Sequence, residues 1–326
     1  MPANLTPDYL AADRKFKEAT TPQQRLAALE EMLSTIPKHK GTEKMQADLK
    51  RRIAKLREES QRRKGAARSR PFYHVEREGA GQIVLVGPPN TGKSSILAAL
   101  TNATPEVADY PFSTRVPLSG MAVFEDVQIQ LVDLPPIGPE TEAWLYAIVR
   151  AADGALIVVD LAAPDVLEST DQLHRLLAAA NIDLMPPGQL RRSPREVPAA
   201  YIASKLDDSG APVALDMFKE FYGGRLPLLA VSAEGDVNLG ELRRLMFDML
   251  GVIRVYSKKP GKKPDLSVPY IVQRGTSVLE AAAVVHKDFA EHLKYARLWR
   301  RGGEIDGQMI GREHALEDGD ILELHA

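Results

Sequence analysis

Gly87-Pro88-Pro89-Asn90-Thr91-Gly92-Lys93-Ser94-Ser95 is the stretch of this chain that decides its fold. It fits the phosphate-binding pattern G-x-x-x-x-G-K-[ST]. An apolar, β-branched run over 82–86 precedes it, and an apolar run over 96–100 follows it. A loop between a strand and a helix lets glycines bring backbone N–H groups around a polyphosphate at the positive helix end. The stretch therefore predicts a P-loop that binds a nucleoside triphosphate or diphosphate.

The pattern assigns roles to individual residues of this loop. Lys93 is placed to reach the β- and γ-phosphates, and the Ser94 hydroxyl is placed to ligate magnesium. The other residues of the loop that we predict to contact the nucleotide are Gly87, Asn90, Thr91, Gly92 and Ser95.

The composition excludes several classes of protein. With 326 residues and 44% hydrophobic content, the chain is long enough for two or three domains with real cores. It contains no cysteine, which excludes a disulfide framework, thiol catalysis and cysteine-ligated metal. Residues 1–17 lack a long apolar core, and the apolar run over 155–163 is interrupted by Asp160 and too short for a bilayer. We therefore expect a cytoplasmic protein without membrane attachment.

Strand and helix patterns alternate from about residue 81 to 251 and predict a mostly parallel sheet covered on both faces. The predicted strands are 83–87, 121–124, 129–132, 155–160, 199–203 and 228–231, and the predicted helices are 93–100, 142–151, 166–180, 215–222 and 239–250. Ligands of such sheets bind at the carboxyl ends of the strands, where the P-loop lies.

The segments on either side of this sheet have a different character. Apolar residues at helical spacing over 26–36 and 45–56 predict an antiparallel helical hairpin. Short strands around a helix near 277–285 predict a small α+β module. The predicted domains are a helical hairpin with a basic linker over 1–78, the nucleotide-binding domain over 79–251 and the α+β module over 252–326.

Polar residues at three later strand ends favour a guanine nucleotide, GTP or GDP. Asp133 is placed to hold magnesium through a water. In Ser204-Lys205-Leu206-Asp207, the Asp207 carboxylate can accept hydrogen bonds from guanine N1–H and the 2-amino group, a pair of donors that adenine lacks, while the Lys205 stem lies along the base. Ser232-Ala233 can place a backbone N–H near the guanine oxygen.

With these motifs the chain resembles the translation-factor-related GTPases and, more narrowly, the developmentally regulated branch of the Obg-type superfamily. Asn90 in the P-loop and Asp109-Tyr110-Pro111-Phe112-Ser113-Thr114 carry this resemblance, and 253–261, 294–299 and 318–320 look like a TGS domain. It implies a P-loop GTPase sheet with helices on both faces, preceded by a helical hairpin and followed by a β-grasp-like TGS domain. It also implies that Thr114 is the switch threonine, which ligates magnesium and senses the γ-phosphate.

The chain departs from the family pattern at the second switch. Asp133-Leu134-Pro135-Pro136 has proline where the family's Asp-x-x-Gly has glycine, and proline has no N–H to donate to the γ-phosphate. Ser204 stands where asparagine or threonine is usual. Ile137 stands where many GTPases carry a water-positioning glutamine.

These departures suggest a hypothesis for the chemistry. Related proteins with a hydrophobic residue at the glutamine position use a potassium ion held partly by the P-loop asparagine, which corresponds to Asn90. The hypothesis is slow GTP hydrolysis with Lys93, Thr114 and Asn90 as the catalytic residues and with magnesium and potassium as cofactors. The alternative role for Asn90 is capping of the loop.

Two basic segments suggest a partner. Basic residues dominate 50–70, and a second cluster comprises Lys258, Lys259, Lys262 and Lys263. The first segment is either the solvated face of a helix with its linker or a contact with ribosomal RNA, which needs no sequence specificity. Few aromatic residues accompany it, so neither base stacking nor DNA specificity is indicated.

Two functions of different classes follow. One is a slow GTPase that acts as a switch or accessory factor near the ribosome, with the TGS domain and the basic segment as contacts. The other is a GTP- or GDP-binding regulatory scaffold with little or no hydrolysis because of Pro136. A kinase-type phosphotransferase is disfavoured by Ser204–Asp207 and by the lack of a recognisable acceptor site.

Overall fold

The computed structural model divides the chain into two units, Met1–His74 and Val75–Ala326. The structure describes Tyr9, Ala12 and residues 14–16, 22–36, 45–46, 48–53, 75–101, 116–286, 291–300 and 306–325. The predicted switch residue Thr114 and most of the basic segment over 50–70 lie outside the described residues. The domain limits at 78 and 251 stay predictions.

The first unit contains the helix α1 (Pro22–Thr35), which begins at a proline, a residue that suits the first turn of a helix. Residues 48–53 are also helical. Apolar residues of both stretches share one buried cluster because leucine and isoleucine side chains three and four positions apart lie on one helix face. The cluster contains Tyr9, Ala12, Leu29, Met32, Ile36, Leu49 and Ile53. The two apolar stripes therefore pack against each other, as predicted, and Tyr9 and Ala12 are additions that the pattern did not indicate.

The second unit opens with the predicted sheet and its helices. Its strands are β1 (Gln82–Val86), β2 (Leu118–Phe124), β3 (Val127–Asp133), β4 (Gly154–Asp160), β5 (Asp183–Met185), β6 (Glu196–Ser204) and β7 (Leu228–Ala230). Its helices are α2 (Lys93–Leu100), α3 (Ala143–Ala151), α4 (Val166–Ala179), α5 (Ala211–Tyr222) and α6 (Leu239–Leu250). The strand order is β2-β3-β1-β4-β6-β5, with β7 also beside β6, and only the β2–β3 pair is antiparallel. The mostly parallel sheet is thereby confirmed.

The central strands are mostly apolar because helices cover both faces of the sheet. Every residue of β1 is buried. Ile83 and Leu85 of β1 share a core with Ile96 of α2 and Met246 of α6. This core fixes α2, and with it the P-loop, at the end of β1.

The strand registers bring the predicted site residues to one edge of the sheet. Leu85 of β1 is the partner of Asp133, the last residue of β3. Asp160, the last residue of β4, is the partner of Ser204, the last residue of β6. Since parallel strands end on the same side, β1, β3, β4 and β6 present their carboxyl ends together.

Three elements differ from the expectations. Strand β5 has only 3 residues and lies in a proline-rich stretch, so it carries no periodic signal. Strand β11 (Asp306–Ile310) was not predicted, because Gly307 and Gln308 interrupt its apolar pattern. Helix α5 begins at Ala211 rather than at 215, since Pro212 occupies its first turn, where its missing N–H costs nothing.

The C-terminal part of the second unit forms a separate mixed sheet. Besides β11, its elements are β8 (Val252–Ser257), β9 (Asp265–Gln273), α7 (Val278–Val285), β10 (Tyr295–Trp299) and β12 (Asp320–His325). The strand order is β11-β10-β12-β8-β9. Ser277 and Glu280 form a capping box at the start of α7. No helix among the described residues is long and apolar enough to span a membrane.

Arg254 of β8 joins the two sheets. Its guanidinium bonds Asp318 at 2.7 Å, Asp126 at 3.0 Å and also Glu125. Glu125 and Asp126 form the turn between β2 and β3, and the Tyr256 hydroxyl donates to Asp126. Arg254 is only 13% exposed, and its pairs with Glu125 and Asp126 hold the C-terminal sheet on the β2–β3 hairpin, while Asp318 of the C-terminal part fixes its guanidinium.

Candidate functional site

The P-loop has the backbone that its glycines predict. A Cβ on Gly87 would lie 2.6 Å from the Val158 carbonyl oxygen of β4, so only glycine fits there. Gly92 precedes α2 with φ of 83°, a conformation that glycine adopts without strain. No side chain caps this helix end, which leaves its first N–H groups to a phosphate.

Lys93 is folded into the loop. Its Nζ donates to the carbonyl oxygens of Pro88 at 2.7 Å and Gly87 at 3.1 Å. The residue is 6% exposed, and burial lowers the pKa of its ammonium to about 8, against the opposing attraction of Asp133. Two neutral carbonyls are weak partners for a buried charge, whereas a phosphate would pair with it fully.

Ser94 and Asp133 lie together beside Lys93. The Ser94 hydroxyl donates to Asp133 Oδ2 at 2.5 Å. Burial raises the pKa of Asp133, although the Ser94 hydrogen bond and the Lys93 charge oppose this. Asp133 Oδ1 is buried and has no hydrogen-bond partner among the described residues. A hydroxyl and an under-coordinated carboxylate are oxygen donors of the kind that Mg²⁺ prefers, so these residues fit the predicted metal.

The segment after Asp133 has no backbone N–H left for a phosphate. Leu134 N–H donates to Leu85 O at 3.4 Å, and Ile137 N–H donates to Gly87 O at 3.3 Å. Gly138 N–H donates to Thr141 Oγ1 at 2.8 Å. The two residues between, Pro135 and Pro136, have no N–H.

Ile137 itself is 4% exposed, because its backbone bond to Gly87 draws the segment against the P-loop. The sequence had placed it only as the residue at the glutamine position. A buried isoleucine there offers no hydrogen bond to an attacking water.

The residues predicted to bind guanine lie at the ends of β6 and β7. The Ser204 hydroxyl is 2.7 Å from the Thr91 carbonyl oxygen and 2.9 Å from that of Val159, so it joins the P-loop to the sheet. Lys205 follows with φ of 59°. Serine at this position therefore keeps a tether to the P-loop with a single hydroxyl.

Asp207 is exposed and oriented by its neighbour. The buried Ser232 hydroxyl donates to Asp207 Oδ1, and Ser232 Oγ accepts from Gly235 N–H at 2.8 Å. The Ser232 hydrogen bond, followed by the backbone N–H of Asp207, lowers the pKa of this carboxyl. Leu206 N–H donates to Val231 O at 3.1 Å, which holds the two loops together. An ionised, aimed carboxylate is what two guanine N–H donors require.

Three predicted residues remain at the margin of the site. Asn90 is exposed with φ of 62°, a left-handed conformation that asparagine tolerates better than most residues. Ser95 is exposed on the first turn of α2, and Ala233 is half-buried beside Ser232. Two contacts were not indicated by the sequence, the Ile137 bond to Gly87 and an ion pair between Lys205 and Asp160. The signal for Asp160 was its place at a strand end.

Comparisons with known proteins agree with this geometry. Residues 82–185 match the family described as 50S ribosome-binding GTPase, and residues 253–326 match the TGS domain. A GTP-binding protein of Methanocaldococcus jannaschii, named as uncharacterized, is 29% identical, and the match covers 92% of each chain. Developmentally-regulated GTP-binding protein 1 of Xenopus laevis is 25% identical over 92% of this chain and 98% of that protein. Ribosome-interacting GTPase 1 of Saccharomyces cerevisiae is 24% identical over 93% and 98%.

Solved structures support the fold. The Schizosaccharomyces pombe YchF GTPase matches with a TM-score of 0.50 and 15% identity, over 77% of this chain and 100% of that one. A GTP binding protein from Pyrococcus horikoshii matches with a TM-score of 0.51 and 15% identity, over 75% and 99%. The alignments with relatives span 363 to 369 positions against 326 residues here, so the relatives contain internal residues that this chain lacks.

Proposed function

We propose that this chain, a GTPase of the 50S ribosome-binding family with a C-terminal TGS domain and homologues among the developmentally regulated GTP-binding proteins, binds GTP and GDP and hydrolyses GTP slowly near the ribosome. The convergence of the P-loop, Asp133, Ser204 and the Asp207–Ser232 pair at one sheet edge carries the proposal. Magnesium would be held by Ser94 and Asp133, and by Thr114 on the family pattern. When bound, it neutralises charge on the phosphates.

Within this chain, Lys93 is the main group that would neutralise the phosphates. Its ammonium would exchange the Gly87 and Pro88 carbonyls for phosphate oxygens, which are stronger partners for a buried cation. Ser204 would keep the P-loop in place while Asp207 and the Lys205 stem orient the base. Among the described residues, the glutamine position offers no group to activate the attacking water, because Ile137 is apolar and buried. We therefore expect slow turnover.

A potassium ion beside Asn90 is part of the proposal for hydrolysis. Asn90 is exposed, so its amide is accessible to a cation from solvent, while capping of the loop remains the alternative role. Single-turnover GTP hydrolysis, measured with and without ribosomes in potassium and in sodium buffers, tests the function. Faster GTP turnover with ribosomes would support a function near the ribosome. Equal rates in the potassium and sodium buffers would exclude a role for potassium. A preference for ATP would favour a kinase-type phosphotransferase instead.

The contact with the ribosome is proposed from charge and from the named yeast relative. Lys259, Lys262 and Lys263 in the β8–β9 connection are exposed and form no ion pair with any described residue. Lys258 differs because it pairs with the buried Glu323 and lies 4.3 Å from the centre of the Trp299 ring. Three exposed lysines on one loop suit an RNA backbone, although the Asp265 carboxylate also feels the charge of Lys259.

The regulatory scaffold is the second candidate, and the second switch favours it. With each N–H of 134–138 missing or used, this segment gives the γ-phosphate no donor. We therefore expect GDP and a non-hydrolysable GTP analogue to bind with affinities within about threefold of each other, since one hydrogen bond to a charged group is worth roughly tenfold or more. Calorimetry with the two nucleotides measures this ratio.

The matched variants are Pro136→Ala and Pro135→Ala. Alanine at 136 adds an N–H at the family's glycine position and is expected to shift the ratio about tenfold towards the triphosphate analogue. The same change at 135 adds an N–H at a neighbouring position and should leave the ratio unchanged. Equal shifts of the affinity ratio in both variants would indicate that the substitutions act by loosening the segment. A strong preference of the natural chain for the triphosphate analogue would contradict the scaffold function.

A further inference from the structure

Asp160 at the end of β4 lies against the guanine-binding loop without a role in the motifs above. Its register partner is Ser204, and Leu161 N–H donates to Ser204 O at 3.2 Å. The β4–β6 pairing therefore continues to the first residue of that loop. It brings a carboxylate beside the lysine that follows.

Both oxygens of this carboxylate have partners. Lys205 Nζ lies 2.6 Å from Asp160 Oδ2, and Asp160 Oδ1 accepts from Ala162 N–H at 2.9 Å. The Asp160 side chain is 13% exposed, while that of Lys205 is 41% exposed. The hydrogen bond from the turn after β4 therefore orients the Asp160 carboxylate, and the ion pair in turn orients the more exposed Lys205 ammonium.

The backbone of Lys205 is fixed as well. Its φ of 59° is left-handed, which a non-glycine residue adopts only where its surroundings hold it there. On one side, the Ser204 hydroxyl bonds the Thr91 carbonyl at 2.7 Å. On the other side, Leu206 N–H donates to Val231 O at 3.1 Å. The lysine is thus held at its backbone and at its ammonium, and its aliphatic stem is stretched between them.

We propose that Asp160 is a positioning residue for guanine-nucleotide binding, which holds the Lys205 stem as a preformed platform for the purine base. A free lysine loses side-chain entropy when a ligand orders it, which weakens binding. Here the ion pair with Asp160 already orders the lysine in the folded chain, so binding does not bear this entropy loss. The inference rests on the proposed binding of GTP and GDP. It assigns to β4 a part in base recognition beside the Asp207 loop.

The variants Asp160→Asn and Asp160→Glu test this role. Asparagine keeps the acceptor for Ala162 N–H and nearly the same volume, but it puts an N–H donor in place of the oxygen that holds the Lys205 ammonium. Calorimetry should give about tenfold weaker GDP binding for Asp160→Asn, the effect of one charge-assisted bond. Pyrophosphate, which has no base, should bind the variant and the natural chain within about twofold. Glutamate should recover part of the GDP affinity.

The control is Lys205→Met, which keeps the stem and removes the ammonium. If Asp160 acts through Lys205, then Asp160→Asn added to Lys205→Met should weaken GDP binding no further. Unchanged GDP affinity in Asp160→Asn would overturn this inference alone. Equal losses for GDP and pyrophosphate would also overturn it, because they indicate a disturbed P-loop. A natural chain that binds no GDP would instead contradict the proposed function.

Discussion

Asparagine in place of Asp207 is expected to weaken GDP binding about hundredfold and to create binding of xanthosine diphosphate. One charge-assisted hydrogen bond to guanine is lost, worth roughly 1.5–3 kcal/mol, and the other becomes a weaker bond to a neutral amide oxygen. Xanthine carries a carbonyl where guanine carries the 2-amino group, so an asparagine amide can donate to it while its oxygen accepts from N1–H. The Ser232 hydroxyl orients the exposed Asp207 carboxylate and lowers its pKa, which favours the charged form. We therefore expect the loss of this one charge to have a large effect on GDP affinity.

Asp208 supplies the matched control. It is also exposed, and its Oδ1 accepts from Gly210 N–H at 2.8 Å in the following turn. Asp208→Asn should change GDP affinity by less than about twofold, since its charge has no predicted contact with the base. Fluorescent GDP and XDP titrations decide between the outcomes. Comparable losses in both variants, or no gain for XDP in Asp207→Asn, would contradict base reading by Asp207.

Methionine in place of Lys93 is expected to have opposite effects on binding and on stability. Affinity for GDP and GTP should fall at least about hundredfold, because a buried cation that pairs with phosphate is lost. The melting temperature of the nucleotide-free chain should rise, because methionine fills the same space without a charge that only the Gly87 and Pro88 carbonyls solvate. Lys219→Met, on an exposed lysine of α5, is the control and should change neither quantity appreciably.

The pH dependence follows from the lowered pKa of Lys93. Burial takes this pKa from 10.5 to about 8, so between these values the unfolded chain binds a proton that the folded chain does not. Below pH 8 the buried charge of Lys93 lowers the free energy of unfolding by its full amount. As the pH rises from 8 towards 10.5 the folded chain loses this charge, so the free energy of unfolding increases. Nucleotide affinity should decline above pH 8, because Lys93 must take up a proton to pair with phosphate. Melting curves and GDP titrations at pH 7 and pH 9.5 measure how stability and GDP affinity change with pH. In Lys93→Met, the part of each change that comes from Lys93 should disappear.

Much of the nucleotide site could be predicted from the sequence because its motifs are local. A P-loop needs a strand, two glycines, a lysine and a helix in immediate succession, and residues 82–100 provide them, with the glycines and the lysine inside Gly87–Ser95. Asp207 was recognisable for the same reason, since it follows an apolar strand at a fixed spacing. The motifs also fixed the order in which these strand ends occur along the chain.

Contacts between distant strand ends could not be predicted in this way. That Ile137 N–H would bond Gly87 O depends on how the segment after β3 folds back against the P-loop, which no local motif specifies. The ion pair of Asp160 with Lys205 depends on β4 and β6 being neighbours in register. Likewise, Arg254 meets Glu125 and Asp126 only because the C-terminal sheet packs beside the β2–β3 hairpin.

The sequence by itself predicted a phosphate cradle and a guanine-reading carboxylate, and it determined that Pro136 lacks an N–H. Only the tertiary structure decided that the remaining N–H groups of the second switch are already used, and that Lys93 lies buried in its own loop. The physical reason is that backbone conformation and turn chemistry are set by near neighbours, whereas burial and hydrogen-bond satisfaction are set by segments that meet only after the sheet has formed.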